Sequence, residues 1–373
     1  MNFLTNLTPS PIDTRDFRYI ELPGPYPTEI DLRPFVYEIE DQGLRGTCAS
    51  NGVGSAIELI CKRAGQPFDV SRLFLDWHTR NMEGRLGTEG VAIRDVFKVG
   101  QKFGVCSEDI FPYDLKQNWN IEPPADAKAA ALLTPVRRYE KLFDYNDHDL
   151  TWQQKVRKIE SALTEGFPVI IGMQVTNQIR TLTGPWQTHR YQPLSSSNPS
   201  IGGHCMVIAG SSRSNFKCID LNSWGANWGD SGYWGMDYTL VNEPFFEAWI
   251  VRSFADVDIK EAPGIKLEWR NQYNIKARIA PRPEEVGMPA NIWMGAKVPG
   301  VGIRLKQGLD GNNWVPFDGT NFPPTGQVVL DDPTLLSVAS MSFDLPSIPA
   351  GTEVYVGYGQ TPLDWNLQLI ATL

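Results

Sequence analysis

The sequence predicts an α+β chain in which helices come first and an antiparallel set of strands follows, with an all-β part, a β-sandwich, at its C-terminal end. Three observations predict this. Apolar residues recur at helical spacing in four runs between residues 48 and 165. Short apolar runs separated by turns then occupy residues 168–251, the pattern of antiparallel strands. After residue 265 short β-rich runs alternate with Gly, Pro, Asn and Asp, the rhythm of a sandwich.

Residues 1–26 carry Pro9, Pro11, Pro23 and Pro25 among Asp13, Arg15, Asp16 and Arg18, which predicts an extended leader and no helix. A main domain is expected over 27–254. Its first helix starts at Cys48, runs through Val53, Ala56, Ile57, Ile60 and Cys61, and stops at Gly65. Ser71 caps a second helix that reaches residue 82 and packs Leu73, Phe74, Trp77 and His78. Residues 87–90 lead into a third helix over 91–103, closed by Gly104. A fourth covers 152–165, stopped by Gly166, and a buried strand follows over 168–175. The polar loop 176–201, with Trp186 and Tyr191, delivers the chain to strands over 204–208, 216–219, 232–236 and 248–251. Asp256, Asp258, Lys260, Glu261, Pro263 and Gly264 form a charged hinge to the sandwich expected over 265–373, where Trp293, Trp314, Tyr358 and Trp365 are core aromatics or a ligand platform.

Chemistry gathers at three places. Cys48 stands after Gly43 and Gly46 at a helix start, where unpaired amides and aligned dipoles favour the thiolate, the reactive form of cysteine. Gln42 can bring its amide toward the sulfur, where it and the Cys48 backbone amide would hold a developing oxyanion. His204 heads an apolar strand, and Asn222 follows one hairpin later, which supplies a base and an amide to orient it.

With these motifs, Gln-Gly-x-x-Gly-Thr-Cys, Gly-Gly-His and Asn-Ser-Trp-Gly-x-x-Trp-Gly-x-x-Gly-Tyr, the chain resembles the papain-like cysteine peptidases from about Ile30 to Arg252, in order and at similar intervals. The resemblance implies a two-lobed fold, a helical lobe and an antiparallel β lobe with the active cleft between them. It makes Cys48 the nucleophile, His204 its proton partner, Asn222 the orienting residue and Gln42 the oxyanion donor. Trp224 would shield the His204–Asn222 hydrogen bond, and Glu89, Gly90 and Gly203 would meet an extended peptide substrate. Ala49 replaces the aromatic residue usual after the cysteine, and Gly203 precedes the histidine. The leader is short, like those of bacterial members, and two placements are open: along or beside the cleft, where it would restrain Cys48, or as a strap packed on the far side of the lobe.

The net charge of −9 argues against nucleic acid as a partner. No apolar run has the length of a membrane span. Residues 1–7 lack the basic start and apolar core of a signal peptide. Five cysteines without paired spacing fit a reducing compartment, so a cytoplasmic location, or export without a conventional signal, is expected. Cys61, Cys106 and Cys218 are expected in the core, and neither metal nor cofactor is expected. The expected partner is a protein or peptide substrate, with the C-terminal domain binding a protein or carbohydrate. The resulting expectation is a thiol endopeptidase. Two alternatives stay open: an acyl transferase or deamidase using the same trio, and a catalytically silent binding protein on this scaffold.

Overall fold

The computed structural model describes residues 4–22, 25–114, 119–255 and 257, the C-terminal strands given below, and residues 288 and 324–325. By its contacts the chain divides into two units, Met1–Glu21 with Pro25–Lys260, and Leu22–Gly24 with Glu261–Leu373.

The first unit is α+β. Its helices are α1 (Cys48–Arg63), α2 (Arg72–Met82), α3 (Ile93–Phe103), α4 (Ala125–Ala131) and α5 (Trp152–Thr164). The Ser71 side chain accepts from Phe74 N to cap α2, and Thr151 with Gln154 forms a reciprocal capping box on α5. Gly104 ends α3 at φ +78°, and Gly166 follows α5 at φ +89°, so both helices stop where the sequence places a residue free to adopt left-handed backbone.

Seven strands form one antiparallel sheet: β1 (Glu29–Asp31), β2 (Val136–Phe143), β3 (Val169–Thr176), β4 (Ser200–Ser212), β5 (Lys217–Leu221), β6 (Tyr233–Asp237) and β7 (Glu247–Phe254). The order is β2-β7-β3-β4-β5-β6, with β1 on β4. Three elements, α4, β1 and β2, are absent from the sequence reading. The Ala-rich run of α4 is short, and β2 alternates charged residues that the fold buries, among them Glu140 and Lys141.

Helix α1 sets the position of the site. Its first fourteen residues are all buried, and small residues at 49, 50, 52, 54, 55 and 56 let it lie close to the sheet. A β-carbon on Gly52 would stand 2.6 Å from the Cys205 sulfur on β4, so the helix that begins at Cys48 rests on the strand that carries His204. Glu58 on α1 and Arg72 on α2 form a buried ion pair that holds the two helices together. The five cysteines are free and buried, Cys61, Cys106 and Cys218 within the core as expected.

The C-terminal unit is all-β. One antiparallel sheet joins β8 (Gly264–Arg270), β9 (Asn274–Ala280) and β14 (Thr334–Ser340). The other joins β10 (Pro289–Val298), β11 (Gly302–Gln307), β12 (Asn313–Pro316), β13 (Gly326–Val329), β15 (Glu353–Gly359) and β16 (Gln368–Thr372). The sequence reading omits β9, β12 and β14. Trp293 is buried, as a core aromatic is. The hinge positions Asp256, Asp258, Lys260, Glu261 and Pro263, the side chains of Trp314 and Tyr358, and Trp365 lie outside the described residues. Among the described residues no helix is long and apolar enough to cross a membrane.

Candidate active site

Cys48 is the first residue of α1, and its thiol lies against the backbone amide of Cys205, the residue after His204. Burial pushes this thiol up to about 11, against the pull of the Cys205, Ala49 and Cys48 amides. The helix start therefore stabilises negative charge, as its sequence position implies, but the loss of water outweighs it and the sulfur is protonated in this state.

His204 is fully buried on β4, its Nε2 2.8 Å from Asn222 Oδ1. With Nε2–H donating to that oxygen, Nδ1 is the basic nitrogen, and no protein group bonds to it. Burial holds the imidazole down at about 4, despite the Asn222 hydrogen bond, so His204 is neutral. Asn222 Oδ1 also accepts from Ser223 N at 2.9 Å, which fixes the amide. The Trp224 ring stacks on His204, centroids 4.6 Å apart, and meets Trp228 edge-on. His204, Asn222 and the Trp224 indole thus lie together, with the Cys48 thiol against the backbone that follows His204.

Gln42 is buried, its Nε2 donating to Arg45 O at 2.7 Å and its Oε1 accepting from Ser223 Oγ at 2.6 Å. One amide hydrogen stays free of these bonds. Two supports were not read from sequence. Ser223 ties the Asn222 loop to Gln42, and the signal was its place within the Asn-Ser-Trp-Gly run. Tyr113 donates to Gln42 O at 2.9 Å and bonds Thr47 Oγ1 at 2.7 Å; a lone tyrosine in a turn gives no such signal.

The leader runs through this site. Leu7 N donates to Gly203 O at 3.0 Å, Thr8 N to Val91 O at 3.4 Å, and the Thr5 hydroxyl to Ile201 O at 2.7 Å. Gly90 has φ +85°, and a β-carbon there would stand 1.9 Å from the Asn6 carbonyl oxygen. One on Gly203 would stand 2.5 Å from the Leu7 carbonyl oxygen. Gly90 and Gly203 are thus covered by Asn6 and Leu7 of the leader. Glu89 packs its β-carbon where one on Gly46 would stand, at 2.8 Å. Trp186 and Tyr191 are buried in loop packing; the Tyr191 hydroxyl accepts from Thr176 N.

A family model described as papain family cysteine protease matches residues 26–244, more than half of the chain. The chain belongs to that family. It is a papain-like cysteine peptidase. An uncharacterized peptidase C1-like protein of Acanthamoeba polyphaga mimivirus is 30% identical over 225 residues, 58% of this chain and 70% of that protein. Among solved structures, xylellain, a cysteine protease from Xylella fastidiosa, shares the fold with TM-score 0.57 at 24% identity, over 67% of this chain and 96% of its own. Digestive procathepsin L2 proteinase from the Tenebrio molitor larval midgut does so with TM-score 0.51 at 21% identity, over 66% and 77%.

Proposed function

We propose that the chain is a thiol endopeptidase, latent while its leader lies in the cleft. The observation that carries the reading is the buried His204–Asn222 pair under Trp224, with the Cys48 thiol beside the next peptide of the same strand. His204 Nδ1 takes the Cys48 proton and the sulfur attacks a peptide carbonyl carbon. The oxyanion is held by the Cys48 amide and the free hydrogen of Gln42 Nε2. Collapse breaks the C–N bond, the amine leaves with the proton from His204, and a thioester remains. Water then gives its proton to His204 and attacks the thioester; the acid is released and Cys48 regains its proton. Asn222 orients the ring throughout.

In the leader-bound state both partners are neutral, the thiol near 11 and the imidazole near 4. Removal of the leader readmits water and lowers the cost of charging both. Restraint by the leader is effectively intramolecular, since its tether is short.

The test is twofold. Cys48→Ala should abolish peptide hydrolysis and labelling by an epoxide warhead while the far-ultraviolet spectrum is unchanged. Retained hydrolysis would refute the mechanism. Deleting residues 1–26 should speed alkylation of Cys48; an unchanged rate in a folded protein would refute the restraint.

A further inference from the structure

Helices α2 and α4 border a cavity that no step of the mechanism uses. Its volume is about 330 Å³, and Phe74 and Trp77 of α2, Phe103 at the end of α3 and Leu132 just after α4 give it apolar walls. That size and lining suit a single small molecule. His78 of α2, Lys128 of α4 and Glu122 ahead of α4 line it too. Neither the trio nor residues 5–10 of the leader do.

His78 is 5% exposed, and its Nε2 is buried without a hydrogen-bond partner. Aromatic rings fix the imidazole: Phe103 stacks on it with centroids 4.8 Å apart, Phe74 tilts against it at 4.4 Å, and Trp77 meets it edge-on at 5.0 Å. These neighbours pack the ring without bonding Nε2, so its partner has to come from the cavity. A buried polar atom left bare in this way calls for such a partner. Burial, with the Lys128 cation, holds the imidazole down at about 4 against the pull of Glu122, so the ring is neutral and can exchange one hydrogen bond with a hydroxyl. Lys128 and Glu122 are paired, with side chains 39% and 63% exposed, so they stand at the rim while His78 stands at the buried side. The Lys128 ammonium also lies 5.8 Å from the centre of the Trp77 ring. The rim thus offers one cation and one anion beside an aromatic wall, and an exposed pair of this kind costs little to open.

We propose that this cavity binds a free α-amino acid whose aromatic ring carries a hydroxyl, the chemistry of tyrosine. The ring packs among Phe74, Trp77 and Phe103, and its hydroxyl bonds His78 Nε2. The zwitterionic head opens the rim pair, its carboxylate taking the Lys128 ammonium and its own ammonium the Glu122 carboxylate. Free phenylalanine fills the same walls but leaves Nε2 bare, and a site built to bond a hydroxyl rejects the analogue that lacks it. The site uses neither Cys48 nor the leader, so it stands or falls apart from the peptidase reading.

The test is calorimetric titration of the full chain with L-tyrosine, L-phenylalanine and tyramine, each to about 1 mM. L-tyrosine should bind at one site, and L-phenylalanine about tenfold more weakly or worse. His78→Phe keeps an aromatic ring among Phe74, Trp77 and Phe103 but removes the nitrogen, so the two amino acids should then bind alike. Lys128→Glu changes a half-exposed rim residue, an arm that does not depend on the buried variant folding. It should weaken L-tyrosine by about twofold to fivefold, the scale of an exposed charge pair, without weakening tyramine, which has no carboxylate. No saturable binding of L-tyrosine, equal binding of L-phenylalanine to the unaltered chain, or a preference for tyrosine that survives His78→Phe would each overturn the proposal. So would L-tyrosine binding that is indifferent to Lys128→Glu, since the ligand would then lie elsewhere.

Discussion

Two stretches of one leader are held by opposite means. Residues 5–10 are held by fit: backbone bonds to Gly203 and Val91, and a close pass over Gly90, where even a β-carbon has no room. Residues 13–21 are held by charge and by added sheet. Asp13 and Asp16 lie 2.6 and 2.7 Å from Arg94, Asp16 also lies 2.9 Å from Lys141, and Phe17 and Tyr19 pair with Lys141 of β2. The Tyr19 hydroxyl adds buried bonds to Ser161 and Glu165 of α5 and its C-terminal cap. Fit over glycine answers to shape and charge answers to solvent.

The largest expected effect is on the charged stretch. Asp16 is 2% exposed at its side chain and serves both Arg94 and Lys141. Asp16→Ala leaves two buried cations sharing what remains and should cost about 3–5 kcal/mol. Chemical denaturation would measure it, and early proteolysis within the leader should accompany it. A loss below about 1 kcal/mol would mean that Asp13 and Asp144 suffice.

The converse change breaks the fitted stretch. In Gly90→Val the new β-carbon collides with the Asn6 carbonyl and the backbone at φ +85° is strained, so the leader should leave the cleft. Cys48 alkylation should rise by about a hundredfold, on the order of 3 kcal/mol of lost docking. The alkylation rate decides this, since the same glycine would also meet a substrate and turnover would fall with it.

Acid tests what lies beneath the fitted stretch. The folded pKa of His204 is held at about 4 against an ordinary 6.5. Below 6.5 the unfolded state binds the proton that the folded state refuses, so stability from this group is complete above that pH and is lost as pH falls toward 4. Between pH 7.5 and 5 the loss is about 2 kcal/mol. Glu58 and Asp76, pushed up to about 8 and 6 by burial, act with the opposite sign, so the readout is the difference between the chain and His204→Gln. Parallel stability curves for the two would refute the assignment.

The family was legible because the motifs around Cys48, His204 and Asn222 fix both residue type and order, and the helices were legible because caps and stops are local: Ser71, Gly104 and Gly166 all stand where the sequence places a boundary. What escaped depends on distant partners. Strand β2 carries Glu140 and Lys141, which read as surface until Arg252 and Asp16 are seen beside them. Glu247 reads as one more charge before a strand until Gly172 and Ser10 meet it. The protonated thiol was also beyond the sequence, since a helix start argues for the thiolate and the burial that opposes it comes from the tertiary packing around Cys48.

The smallest expected effect marks the edge of the charged stretch. Arg18 lies 2.7 Å from Asp147 and 3.4 Å from Asp144, but its side chain is 49% exposed, unlike Asp16. Water and salt therefore screen it, and an exposed pair of this kind contributes about 0–1 kcal/mol. Arg18→Ala should lower stability by no more than that, and raising salt to about 0.5 M should shrink the difference further. The Phe17 and Tyr19 backbone bonds to Lys141 do not involve the guanidinium, so the leader should keep its path and the rate of Cys48 alkylation should not change. A loss as large as that of Asp16→Ala would show that the outer pairs, and not the buried cluster around Asp16, hold this half of the leader.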